Sequence, residues 1–245
     1  SRNLTGRDGM RRLLAYLILI AIALIPHTGA RAAACPEPQP ASVRVDLRIP
    51  EPRIREDVGF SGIARLGRGA PRPHGAESMH TVGLTRTRLD NGVSFRQSYL
   101  TIDGRVCGRV ERVDATLTVS ELTVFIAREL RDDRCAREAV YRHEMEHVAI
   151  DQRTLRHLRP QVEAYLADAA RRLGPVRART LDAVQTHTRR YLQSAVDQIT
   201  DEIAQHRAEG HARLDTLEEY QRLSRVCDGR IAEHLARHAG STAAR

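Results

Sequence analysis

The chain reads as an α+β protein: a small, mostly antiparallel sheet followed by a His-Glu-x-x-His helix and a long helical C-terminal region. Three observations predict it. Residues 43–127 hold runs rich in Val, Leu and Thr that alternate apolar and polar, the period of half-buried strands. His143, Glu144 and His147 then open a pattern of helical period. Beyond them the apolar spacing stays near 3.6 residues to about position 237.

Taken in order, the first segment reads as an export leader. Met10 is followed by Arg11, Arg12 and an apolar run from 13 to 25, the length of a secretory signal and too short to cross a bilayer. Residues 1–9 lie upstream of that expected start. Cleavage at the small residues before Cys35 leaves a single domain, 35–245, with 35–130 mainly β and 131–240 mainly α. A lipid anchor at Cys35 is the second way to process that junction. Export gives the four cysteines, Cys35, Cys107, Cys135 and Cys227, the meaning of two disulfides.

Residues 36–42 read as an extended lead-in, 43–49 as a strand and 67–76 as a loop. Runs 80–89 and 93–102 flank Asp90, Asn91 and Gly92, a hairpin signal. Runs 106–119 and 122–127 form a second pair turning near Ser120 and Glu121. On that register Cys107 falls opposite position 134, so the expected bridges are Cys107–Cys135 and Cys35–Cys227. Helices follow: from Cys135 to near Pro160, then 161–173, 176–208 and 213–237.

The formal net charge is +8, of which residues 1–34 carry +4, and every basic residue is Arg. Arg is interspersed with Asp and Glu without a one-signed block, so no nucleic-acid partner is expected. No transmembrane span is expected after the leader.

The chemistry rests on His143-Glu144-Met145-Glu146-His147. Two His four apart share one helix face and can reach one ion, with the Glu beside the first near the open position. At 100° per residue they lie with Val140, Val148, Leu155 and Leu158, opposite Arg142, Glu146, Ala149 and Arg153, so they face the interior. Buried polar groups need partners, and an ion is one.

A sheet followed by such a helix resembles the zincin metallopeptidases, and residues 135–151 look like a group of predicted secreted bacterial zinc-dependent proteases. The resemblance implies one zinc ion, His143 and His147 as ligands, Glu144 as general base toward zinc-activated water, and a protein or peptide substrate. It also implies an edge strand beside the cleft, for which 123–127 is the candidate. The third ligand stays open. The metzincin position is Arg153, and Glu163 and Asp168 miss the thermolysin-like spacing. Asp215 and Glu219, one turn apart, are candidates, or else an acidic helix start in which Asp215 caps and Glu218 closes the capping box. Asp151 continues the His143–His147 row about 6 Å further along the helix, which suits orienting a ligand. His211 and Tyr220 are candidates for stabilising an oxyanion. The remaining His are expected at the surface. A non-catalytic envelope binding or assembly protein retaining the same fold is the alternative function.

Overall fold

The computed structural model describes residues 34–37, 39–68 and 81–243. The expected leader, apart from Ala34, and most of the loop 67–76 lie outside the described residues. Residues 35–245 group as one unit.

The sheet centres on β4 (Arg105–Ile126), a single 22-residue strand. On one side β3 (Gly83–Ile102) pairs with it antiparallel along its whole length. On the other side three short strands lie end to end: β5 (Val176–Ala178) antiparallel, then β1 (Ser42–Arg48) and β2 (Arg53–Arg55) parallel. This corrects the expected mostly antiparallel sheet, because the path β1-β4-β2 is parallel throughout. Alternation reveals which face of a strand is buried, not the direction of its neighbour. β1 and β2 share one register offset along β4. They are a single extended run, interrupted where Pro50 and Pro52 can give no N–H to the ladder.

Both expected turns are also corrected. The chain reverses at Asp103 and Gly104, whose φ values of 51° and 68° are those of a tight hairpin turn. Asn91 and Gly92 lie inside β3, where Asn91 Nδ2 donates to Thr200 Oγ1 at 3.0 Å and its Oδ1 accepts from Gln193 at 3.2 Å. Ser120 is an extra residue: Val119 pairs with Leu89 and Glu121 with Arg88. That bulge switches which positions face inward. Val113, Ala115, Leu117 and Val119 are buried before it, and Leu122, Val124 and Ile126 after it. The segment 123–127 is not an edge, since β2 and β3 flank its strand residues.

Among the described residues five α-helices complete the fold. The short α1 (Phe60–Leu66) was not foreseen. The motif helix α2 (Arg134–Leu173) runs 40 residues through Pro160, correcting the expected break there. Pro forfeits one backbone hydrogen bond, but Leu155, Leu158, Val162, Leu166 and Ala169 on both sides of it are buried in one core. α3 (Leu181–Leu214) likewise continues through Gly210. There a side chain would meet Ile150 Cγ2 at 2.6 Å, so glycine lets α3 press against α2. α4 (Leu217–Arg225) and α5 (Arg230–Ala243) replace the single last helix expected. The core lies between the sheet and α2, with Val196, Ile199 and Ile203 of α3 joining it. No helix among the described residues is long and apolar enough to cross a membrane.

Both disulfide pairings are corrected: the bridges are Cys35–Cys107 and Cys135–Cys227, with Cα separations of 5.8 and 5.9 Å. The expected pairing assumed a turn at Ser120. With β4 unbroken, Cys107 lies about 60 Å of extended strand from the end of β4. The bond to Cys107 occupies the Cys35 sulfur, the atom that a lipid anchor at this residue would use.

Candidate metal centre

Two antiparallel helices build the site. α2 presents His143, His147 and Asp151 at intervals of four residues, and α3 presents Arg207 and His211, with Asp215 as its C-cap, at the same interval. Each row occupies one face. The rows interlock in reverse order. Asp215 Oδ1 lies 3.3 Å from His143 Nε2 and 3.1 Å from His147 Nε2. His211 Nδ1 lies 2.9 Å from His147 Nδ1, and its Nε2 lies 2.8 Å from Asp151 Oδ1. Arg207 donates to both Asp151 oxygens, at 2.7 and 2.8 Å.

His143, His147 and Asp215 could hold a metal ion, their ligand atoms lying within 4.8 Å of one another. The spacing fits a small tetrahedral ion: bonds of 2.0–2.1 Å set donor atoms about 3.3 Å apart. The charges fit as well. Asp151 is paired with Arg207 and Glu219 with Arg222, whereas Asp215 faces imidazoles and Glu144 a threonine hydroxyl. Asp215 thus brings a carboxylate that faces imidazoles rather than a guanidinium, a charge that a bound cation could balance. The opposed carboxylates also bear on His143, whose Nδ1 faces Glu219 Oε1 at 3.1 Å while Nε2 faces Asp215. Burial opposes the charged ring, but hydrogen bonds that it donates to Asp215 and Glu219 and the Glu144 charge prevail and raise its pKa. Neutral His143 can satisfy both sides only if something other than a proton meets Nε2.

Asp215 is free for this work because it is not the cap of α4. Thr216 is, its Oγ1 accepting from Glu219 N at 3.2 Å. That corrects the capping alternative. Glu219 is not in the ligand group: it holds the far nitrogen of His143 and is clamped by Arg222 at 2.6 Å. Its pKa is lowered, first by that Arg222 hydrogen bond. Asp151 touches His211 and Arg207 and reaches His147 only through His211. Burial pushes the Asp151 carboxyl up, but hydrogen bonds from His211 and Arg207 outweigh it and hold the group well below the usual carboxylate range. His211 stands beside His147, its two ring nitrogens facing His147 and Asp151, and it lines the cavity over the site together with Tyr220.

Glu144 sits beside the ligand pair. Thr85 Oγ1 lies 2.9 Å from both its Oε2 and its backbone oxygen, tying the start of β3 to α2. Burial, foremost, raises the Glu144 pKa against the lowering effect of the two imidazoles. Gly83 makes this closeness possible, since a Cβ there would stand 2.6 Å from Glu144 Oε1 and from Val140 Cγ1. A cavity of about 530 Å³ opens over the group, with Val82, Leu84, Tyr220, Leu223, Ile231 and Leu235 among its walls.

Other candidates lie elsewhere. Glu163 accepts from Val45 N at 3.2 Å, and Asp168 pairs with Arg171 and Arg172. His157, His187 and His206 are exposed as expected. His234 and His238 are not: His234 Nε2 lies 3.2 Å from Asp133 and His238 Nδ1 3.9 Å from Glu129, fastening α5 near the start of α2. Arg207 was missed. Its signal is the repeated four-residue spacing Arg207, His211, Asp215, which mirrors His143, His147, Asp151. No family model, curated protein or solved structure matches this chain.

Proposed function

We propose that the protein is an exported zinc-dependent metallopeptidase that hydrolyses peptide bonds in a protein or peptide substrate. The observation that carries the reading is the meeting of His143, His147 and Asp215 next to a buried glutamate at the floor of a cavity. Two imidazoles and one carboxylate with a side left open is a catalytic rather than a structural donor set. When bound, zinc supplies Lewis acidity toward a carbonyl and lowers the pKa of water.

The chain's own residues supply the rest. Thr85 holds Glu144 Oε2, leaving Oε1 to take the proton of the attacking water and pass it to the leaving amine. Its raised pKa brings the carboxylate closer to the working pH of a general base. The start of β3 lines the cavity and, among the described residues, pairs with a strand only on its β4 side. An extended substrate can add to that free edge. Two disulfides support an oxidising destination.

Metal analysis and hydrolysis of fluorescent casein test this on purified 35–245. The parent should hold about one zinc per chain. His147→Ala should lose the metal, and Glu144→Gln should keep it and lose hydrolysis. No stoichiometric zinc after refolding with the metal would refute the reading. Zinc without hydrolysis would favour the non-catalytic binding protein.

A further inference from the structure

We infer that His211 is a positioning residue for His147: an imidazole spacer that fixes the tautomer and orientation of the ligand and is itself fixed by Asp151 and Arg207. The inference rests on the metal reading above.

The argument is one of proton accounting. A neutral imidazole has one N–H donor and one bare acceptor nitrogen. If His147 Nε2 offers its lone pair to an ion shared with His143 and Asp215, the His147 proton sits on Nδ1. The group facing it is His211 Nδ1, at 2.9 Å, which must then be bare. The His211 proton moves to Nε2, which faces Asp151 Oδ1 at 2.8 Å, an oxygen that only accepts. Asp151 cannot turn away, because Arg207 grips both oxygens through Nε and Nη2. Every donor meets an acceptor in this arrangement. Reversing the proton on either ring sets two donors or two lone pairs face to face.

The line therefore has one consistent order: guanidinium, carboxylate, His211, His147, metal. Carboxylates commonly bind the far nitrogen of a metal-bound His directly and raise its basicity. Here a ring stands between, with centroids of His147 and His211 5.0 Å apart. It passes on the polarisation of Asp151 while keeping that charge off the ligand. His143 is served differently, by Glu219 directly, so the two ligands have unlike supports. Gly210, the neighbour of His211, allows the close helix approach that the chain of contacts needs.

The test uses the full 35–245 chain and compares zinc affinity, by competition with a chelating dye, in the parent, His211→Phe and His211→Asn. Phenylalanine fills the space of the ring but accepts nothing, and should weaken zinc binding about 10–100-fold. The Asn amide oxygen falls near the position of Nδ1 and should restore most of that loss. The absorption bands of the cobalt-substituted Phe variant should shift, which a packing defect alone would not cause. Nitrogen-15 spectra of the zinc-loaded parent need no variant to fold: they should show His211 protonated at Nε2 and His147 at Nδ1. A His211 proton on Nδ1, or Phe binding zinc within twofold of the parent, overturns the inference. If the parent itself takes up no zinc, the metal reading falls and this one with it. If the parent binds zinc and His211 variants match it, the positioning role alone is refuted.

Discussion

Replacing Gly83 with alanine probes the contact that brings the sheet to Glu144. The added methyl would lie 2.6 Å from Val140 Cγ1, 2.6 Å from Glu144 Oε1 and 2.9 Å from Glu144 Cγ. Ordinary contacts lie at about 3.5–4.0 Å, so β3 and α2 must part by about 1 Å. Overpacking of this kind costs about 1–3 kcal/mol, which lowers the Tm of a domain this size by about 2–12 °C. Under the proposed role of Glu144 as general base, a displacement of about 1 Å costs about 100-fold in rate. His143, His147 and Asp215 are not among the nearest atoms to the new methyl, so zinc stoichiometry should hold. Gly67→Ala is the control, because its methyl would meet Ile63 O at an ordinary 3.5 Å. Thermal unfolding, metal content and casein hydrolysis are read together. Parental Tm and rate in Gly83→Ala would refute the reasoning. So would a rate loss matched by an equal loss of zinc, which would place the damage at the ligands.

Asp215→Ala should abolish tight zinc binding, whereas Glu219→Ala should weaken it about 10–100-fold; equal affinities measured by chelator competition would contradict the assignment of Asp215. Removing Cys135 and Cys227 together opens a loop of 92 residues and should cost about 4–5 kcal/mol in the chain-entropy model, read by urea unfolding. Zinc affinity should fall too, because Asp215 and Glu219 lie within that loop. Non-reducing peptide mapping should recover Cys35 linked to Cys107. Asp151, held below its ordinary pKa in the folded chain, contributes stability that is complete above the unfolded value near 3.9. That contribution is lost as pH falls from there toward the folded value. Asp151→Asn should be less stable at neutral pH and decline less steeply below about pH 4; parallel acid limbs would contradict this.

The helix rows were legible because a helix repeats over a few residues. His143, Glu144 and His147 could be placed on an interior face from spacing alone, and they are buried there. Burial of the apolar strand positions was legible for the same local reason. The strand partners were not. Ser120 and Glu121 looked like a turn because the alternation changes phase there, and a bulge produces the same change without reversing the chain. The chain turns at Asp103 and Gly104, not at Asn91 and Gly92, and the Asn91 side chain is held instead by contacts with α3, which lies about a hundred residues further along the chain. The cysteine pairing failed with the strand register on which it depended.

What the sequence determined by itself is the chemistry available on each face: two imidazoles and a glutamate on one helix, and acids awaiting a role near 215–219. Which acid joins the imidazoles was decided only by the tertiary structure. Asp215 lies 68 residues beyond His147, too far for any local period to relate them. It arrives because Gly210 lets α3 lie close on α2 and because Thr216, not Asp215, caps the next helix. Helical period fixes a side chain's direction relative to its own axis, whereas a shared ion needs two axes at a set distance and register, and only packing supplies those.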